Sequence, residues 1–223
     1  MNYKKKFFFI EKVKAIEIVK KIGTPTYVYS SKKIIDNIKS FKNSFKKVNP
    51  IICFSVKSNC NSEILNLVKR NGLGADVVSK GELLKALKSG IPPKKIVFSG
   101  VGKTKNELEL AIDKKILLIN SESENEIRQI EIIAKNRKRK VDIGIRLNPN
   151  TDAKTLNKIS TGKIENKFGV DENDFLKLIK KYRNSKNLNI RCISVHIGSQ
   201  ITKNKPYEKM LKIIKRCIDK SDY

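Results

Sequence analysis

The sequence predicts an α/β fold, a (β/α)8 barrel of the TIM type represented here by about six parallel strands. Three observations predict it. Short β-rich apolar runs recur along the chain, helical patterns fill the intervals, and polar residues cluster where the runs end. The runs are "IICFSV" (51–56), "ADVVS" (75–79), "KIVFSG" (95–100), "ILLIN" (116–120), "VDIGIRLN" (141–148) and "IRCISVHIG" (190–198). Most are continuously apolar, the pattern of parallel strands covered on both faces. Their starts fall about every 20 to 25 residues up to the fifth, as successive βα units require.

In chain order, "KKKFFFI" has too few apolar residues before Glu11 and Lys12 for a signal peptide or a membrane span, and reads as an edge strand. Ile34, Ile38, Phe41 and Phe45 fall on one face of a helix. "SEILNLVKRNG" and "GELLKALKSG" each end in a glycine suited to a helix C-terminus. "SESENEIRQIEIIAK" opens with capping-box spacing at Ser123 and Glu126. An insertion, "PNTDAKTLNKISTGKIENKFGV" (149–170), precedes a helix carrying Phe175, Leu178, Ile179 and Tyr182. An open doubly wound sheet fits the same alternation. It is disfavoured because Lys57, Asn59, Asp76, Ser79, Ser99, Arg146, Asn148, His196 and Ser199 all lie at or near strand ends, where barrel enzymes gather their chemistry. No GxGxxG follows the first strand and no GxxxxGK[ST] occurs, which removes support from nucleotide-binding versions.

The chain has 223 residues, 39% of them hydrophobic, and a formal net charge of +27. Such a charge raises the alternative of a basic nucleic-acid-associated protein. The lysines, however, lie in nearly every polar segment, with no zinc-finger, helix-turn-helix or RNP-like pattern, so no specific nucleic-acid partner is expected. Cys53, Cys60, Cys192 and Cys217 show no CxxC and no metal-ligand spacing. A reducing, cytoplasmic setting with no metal and no membrane association is the expectation.

Lys57 is the first candidate for chemistry. At the rim of a buried strand its amine would be partly desolvated, hence more often neutral and nucleophilic. A lysine after a strand is more commonly a solvated flank. His196 is the only histidine; its flat ring at a strand end can stack on an aromatic ring, and Gly198 lets backbone amides approach an anion.

"FSVKSNCNSEIL", "GLGADVVSKGELLKAL", "GIPPKKIVFSGVGKTKNEL", "IRLNPN", "KISTGKIENKFGV" and "VHIGSQI" together resemble the diaminopimelate decarboxylases, pyridoxal-phosphate enzymes with an alanine-racemase-like barrel. The resemblance runs from "GTPTYVYS" (23–30) to "PYEKM" (206–210). It implies pyridoxal 5'-phosphate as cofactor and decarboxylation of meso-2,6-diaminopimelate to L-lysine, with an amino acid as small-molecule substrate. By the same resemblance Lys57 holds the cofactor aldehyde, His196 stacks on the pyridine face, Ser199 with Gly198 helps hold the phosphate, and Asp76 and Arg146 line the pocket. Lys57 and His196 are thereby the expected catalytic residues.

Two departures accompany the resemblance. Leu156 stands where the family usually has histidine. The family also continues with a glycine-rich phosphate loop, a glutamate for the pyridine nitrogen and a β-domain bearing an active-site cysteine and tyrosine. The expectation is therefore an incomplete barrel without its C-terminal β-domain, from a truncated or split chain not active alone. Residues 1–30 would be a strand segment that normally pairs with that β-domain, and 31–223 a partial pyridoxal-binding barrel. A homodimer of the full-length protein, or a complementing C-terminal chain, is the implied partner. A single-domain, non-catalytic pyridoxal-phosphate protein is a further alternative, disfavoured because such proteins complete eight strands in this length.

Overall fold

The computed structural model describes residues 2–4, 6–151 and 168–221. Six strands form one parallel sheet: β4 (Cys53–Ser55), β5 (Gly74–Val77), β6 (Ile96–Phe98), β7 (Leu118–Ser121), β8 (Val141–Arg146) and β9 (Leu188–Ser194). Spatial order equals chain order, and every neighbouring pair is parallel. A doubly wound sheet must reverse its order at a switch point. This one never does, so the winding is that of a barrel.

The helices between strands are α3 (Ser62–Arg70), α4 (Lys80–Lys88), α5 (Lys105–Asp113), α6 (Glu124–Asn136) and α7 (Glu172–Tyr182), with α8 (Lys205–Ser221) after β9. Their apolar stripes cover one face of the sheet. Ala75, Val77, Ile96, Phe98, Ile119, Ile143 and Ile145 meet Leu65, Val68, Leu83, Leu108, Ile127 and Ile130 there, all essentially inaccessible to water. Phe175, Leu178, Ile179 and Tyr182 are buried on α7 as their spacing predicts.

The opposite face corrects the expectation of strands apolar on both sides. Ser55 pairs in register with Asp76, Asn120 with Gly144, and Arg146 with Ser194. Each strand thus alternates, with its outward residues in the helix-covered core; the inward residues are mostly small or polar, with Val97 and Leu118 the apolar exceptions on β6 and β7. Several strands span only three or four residues, too short a stretch for alternation to show against the apolar residues flanking it.

Helix ends follow local chemistry closely. Gly72 and Gly90 take the left-handed conformation after α3 and α4, at φ +76° and +77°. Thr104 and Glu107 form a reciprocal capping box at α5. At α6, Ser123 accepts a hydrogen bond from the Glu126 backbone, but the Glu126 carboxylate turns elsewhere, so the expected box is only half made.

The N-terminal segment differs from its reading. Phe7–Ile10 is β2, the central strand of a three-stranded antiparallel sheet between β1 (Asn2–Lys4) and β3 (Val13–Lys14), not an edge. Glu11, in the β2–β3 turn, accepts from Ser30 Oγ at 2.7 Å and from the Lys32 amide, tying this sheet to α2 (Ser31–Ser44). "TPTYVYS" makes no strand ladder, and Tyr27 is 91% exposed. On α2, Ile38 packs against the core, whereas Phe41 and Phe45 stack on each other and remain exposed. The helical period is real, but the core covers only its first part. Leu156 and all of "KISTGKIENK" lie outside the described residues. Among the described residues no helix is long and apolar enough to cross a membrane.

Close approach of β4, β5 and the loop before β6 requires glycine at position 74. A Cβ there would stand 2.0 Å from the Lys95 carbonyl oxygen and 2.9 Å from Cys53 Sγ. Backbone on one side and a packed thiol on the other leave no room for relief. Gly74→Ala should lower stability by about 2 kcal/mol or more, read as a drop in the urea midpoint at unchanged slope.

Candidate active site

The strand ends and the loops after them build one rim. After β4 a single 3-10 turn, Val56–Ser58, carries Lys57. Val56 is fully buried and anchors the turn, and Ser58 Oγ closes it by donating to the Ser55 carbonyl at 2.7 Å. Lys57 itself is exposed, which corrects the expectation of a desolvated amine. The turn pins the backbone and leaves the side chain at the water-facing mouth.

Asp76 lies inward on β5 and accepts from Ser99 Oγ at 2.6 Å; Ser99 in turn accepts from Asn120 Nδ2 at 3.1 Å. This relay crosses three strands. Arg146, at the end of β8, donates through Nη1 to Glu122 Oε1 at 2.8 Å, and its guanidinium stands 5.2 Å from the centre of the Phe168 ring. Gly169 makes the approach possible: it takes φ +77°, and a Cβ there would lie 2.7 Å from the Arg146 carbonyl oxygen. The motif "KFG" therefore has a packing role beside Arg146.

His196 follows β9. Its ring keeps solvent access along the mouth, yet burial is the leading cause that holds its pKa below the usual histidine value. The nearby cations Arg146 and Lys57 add to that depression, and Asp76 opposes it. Strand ends bring these residues to one rim. Lys57, Asp76 and Arg146, spread over ninety residues of sequence, all act on the one imidazole. Gly198, at φ +144°, and exposed Ser199 belong to the same loop and join the group only by that position. On the inner face nearby, burial pushes the Cys53 thiol up to about 11, with Asp76 adding to the rise, so that thiol is no nucleophile at neutral pH.

Several residues of the rim were not singled out from sequence. Lys103 is buried and bonded to Glu126, whose other oxygen accepts from the Glu122 amide. Glu122 pairs with Arg146, as above. Four buried oxygens have no partner among the described protein atoms: Ser55 Oγ, Asn120 Oδ1, Ser121 Oγ and Glu122 Oε2. The strand end "INSE" and the loop "GVGKT" were the available signals, but nothing in them distinguishes a buried lysine from an exposed one. A groove of about 1240 Å3 lies between the starts of α6 and α7 and the end of α8. It shares Glu122 with the rim but contains neither Lys57, Asp76 nor His196. The candidate site is the open inner face of the sheet, not that groove.

This rim combines an amine able to condense with an aldehyde, a flat imidazole and an anionic side chain held by a hydroxyl relay. It suits a carbonyl-bearing, phosphorylated aromatic cofactor: the orphaned oxygens of Ser55 and Asn120 offer unused acceptors on the inner face, and the cations face an anion. Sequence comparison agrees. The family model described as "Pyridoxal-dependent decarboxylase, pyridoxal binding domain" matches residues 31–222, and the chain belongs to that family. The cofactor of the family is pyridoxal 5'-phosphate.

Among curated relatives, diaminopimelate decarboxylase of Aquifex aeolicus (strain VF5) is 41% identical over 212 residues, 95% of this chain and 50% of the relative. That of Helicobacter pylori (strain J99) is 44% identical over 206 residues, 91% of this chain and 51% of the relative. Among solved structures, diaminopimelate decarboxylase from M. jannaschii in co-complex with L-lysine superposes with a TM-score of 0.90 at 37% identity, covering 96% of this chain and 51% of that one. The Helicobacter pylori enzyme complexed with L-lysine gives 0.86 at 42%, covering 92% and 53%. The chain spans about half the length of the relatives it matches.

A histidine favoured neutral in the folded state makes stability depend on pH in one direction. Because the folded pKa lies below the ordinary 6.5, His196 contributes stability above 6.5 that is lost as pH falls through the folded value. The melting temperature of the unliganded chain should fall between about pH 7.5 and pH 5.5, and the fall should be smaller in His196→Gln.

Proposed function

We propose that the chain is the pyridoxal-phosphate-binding half of a diaminopimelate decarboxylase, removing CO2 from meso-2,6-diaminopimelate to leave L-lysine. The observation that carries this is the placement of Lys57, Asp76, Arg146 and His196 at the C-terminal rim of one parallel sheet, in a chain that matches that enzyme over most of its length.

When bound, pyridoxal phosphate supplies an electron sink for the pair left behind as the carboxylate departs. The remaining steps are the protein's. Lys57 presents its amine at the mouth, where it would hold the cofactor aldehyde. His196, held toward its neutral form, would offer a flat ring to the cofactor. Gly198 and Ser199 offer a backbone amide and a hydroxyl to the phosphate. Asp76, fixed by Ser99, and Arg146, fixed by Glu122, line the pocket with one charge of each sign. Within this reading, residues 31–223 are part of the barrel. Residues 1–30 are the segment that pairs with a C-terminal β-domain in the whole cytoplasmic protein, and catalysis needs that second half, in a homodimer or as a complementing chain.

Titrating the purified chain with pyridoxal phosphate should produce a visible absorbance band absent from free cofactor, and Lys57→Ala should abolish it. With the C-terminal half of a relative supplied in trans, L-lysine should form from meso-2,6-diaminopimelate, falling about 1,000-fold or more in Lys57→Ala. A wild-type chain with no such band refutes the reading.

A further inference from the structure

One buried cation beside the site has no place in the chemistry above. Lys103 lies in the loop between β6 and α5, with its side chain only 1% exposed. Its ammonium donates to the Gly100 carbonyl at 2.6 Å, the Asn120 carbonyl at 2.7 Å and Glu126 Oε1 at 2.5 Å. An ammonium has three N–H donors and no acceptor, so these contacts use it completely. A side chain with fewer donors would leave one of three buried oxygens unsatisfied, which is costly.

The three bonds feed two arms. In the first, Lys103 holds the Asn120 backbone and the Gly100 turn. Asn120 Nδ2 donates to Ser99 Oγ at 3.1 Å, and Ser99 donates to Asp76 at 2.6 Å. In the second, the Glu126 carboxylate bridges from Lys103 to the Glu122 amide at 3.3 Å, and Glu122 Oε1 receives Arg146 at 2.8 Å. Both arms end on charged groups that act on His196.

We propose that Lys103 is a positioning residue: one buried ammonium that sets, through two separate hydrogen-bonded arms, the side chains of Asp76 and Arg146 near His196. This rests on the reading of those residues as the pyridoxal-phosphate site. Glu126 is the joint of the second arm. The competing role is plain fastening of the α5 and α6 ends to the sheet, which would affect stability without reaching the imidazole.

The single histidine makes the test direct, because its ring resonance in a proton NMR titration of the cofactor-free chain has only one source. Lys103→Met removes a cation and Glu126→Gln an anion, so their direct charge effects on His196 have opposite signs. Loss of positioning has one net sign: water entering between loosened arms relieves burial, the largest cause, and screens Arg146, which together outweigh the smaller opposing loss of Asp76. The midpoint should therefore rise toward 6.5 in both variants, while Ile133→Val, which weakens the packing of α6 alone, lowers the melting temperature and leaves the midpoint where it was. Midpoints that move in opposite directions, or stay at the wild-type value, overturn the proposal. If Lys103→Met does not unfold cooperatively, Glu126→Gln decides alone, since charge loss by itself would lower the midpoint. The titration needs no cofactor. A wild type that shows this response but no visible band with pyridoxal phosphate fails the functional reading, not the positioning role.

Discussion

A parallel sheet whose strands follow one another in chain order can be connected in only one way: each right-handed crossover places its helix on the same face. Everything else at the site follows from that constraint. With the helices on one side, the C-terminal ends of all six strands point to one rim. Lys57, Asp76, Arg146 and His196 are distant in sequence, yet each follows or ends a strand and so arrives at the same mouth. The inner face is freed from the need to be apolar, because the core lies under the helices. Ser55, Asp76, Asn120 and Arg146 occupy it without breaking the packing that holds the sheet.

Charges taken out of water must be paired or hydrogen-bonded, and the rim obeys this by sharing partners. Glu126 serves both Lys103 and the Glu122 amide; Glu122 serves Arg146. Burial pushes the Glu126 carboxyl above the usual carboxylate range, and Lys103 only partly opposes the rise. His196 follows the same logic by another route. Next to two cations and partly desolvated, it is held toward its neutral form. A neutral imidazole leaves the positive charge of the mouth with Lys57 and Arg146, where an anionic ligand can use it.

How far the sequence revealed this differs from element to element. The six strands and the helix-ending glycines Gly72 and Gly90 were legible because they rest on local composition and on backbone conformations few residues adopt. Lys57 and His196 drew attention by their places at strand ends, and the other candidate residues by the family motifs. Phe41 and Phe45 misled, since periodicity marks an apolar face without saying what covers it. "FFFI" reads as a strand either way; whether it is central or at an edge depends on neighbours that its own residues do not specify. Glu126 was hidden behind a plausible local role, because the spacing Ser123–Glu126 suits a capping box. Only the proximity of Lys103, a long-range fact, diverts its carboxylate.

Lys103 was the hardest to see, since one lysine among 49 basic residues carries no mark. Its geometry nevertheless explains why the position needs this residue type. Three oxygens, from the turn after β6, the end of β7 and the first turns of α6, converge on a single point. A tetrahedral ammonium on a flexible stem can meet three acceptors arranged around it. The planar fork of an arginine directs its donors in one plane and suits paired oxygens, which is the task Arg137 performs against Asp113 in this fold. The rim therefore uses its two kinds of cation differently: a point charge where backbone segments must be gathered, and a planar one where a carboxylate and an aromatic ring must be held at the mouth.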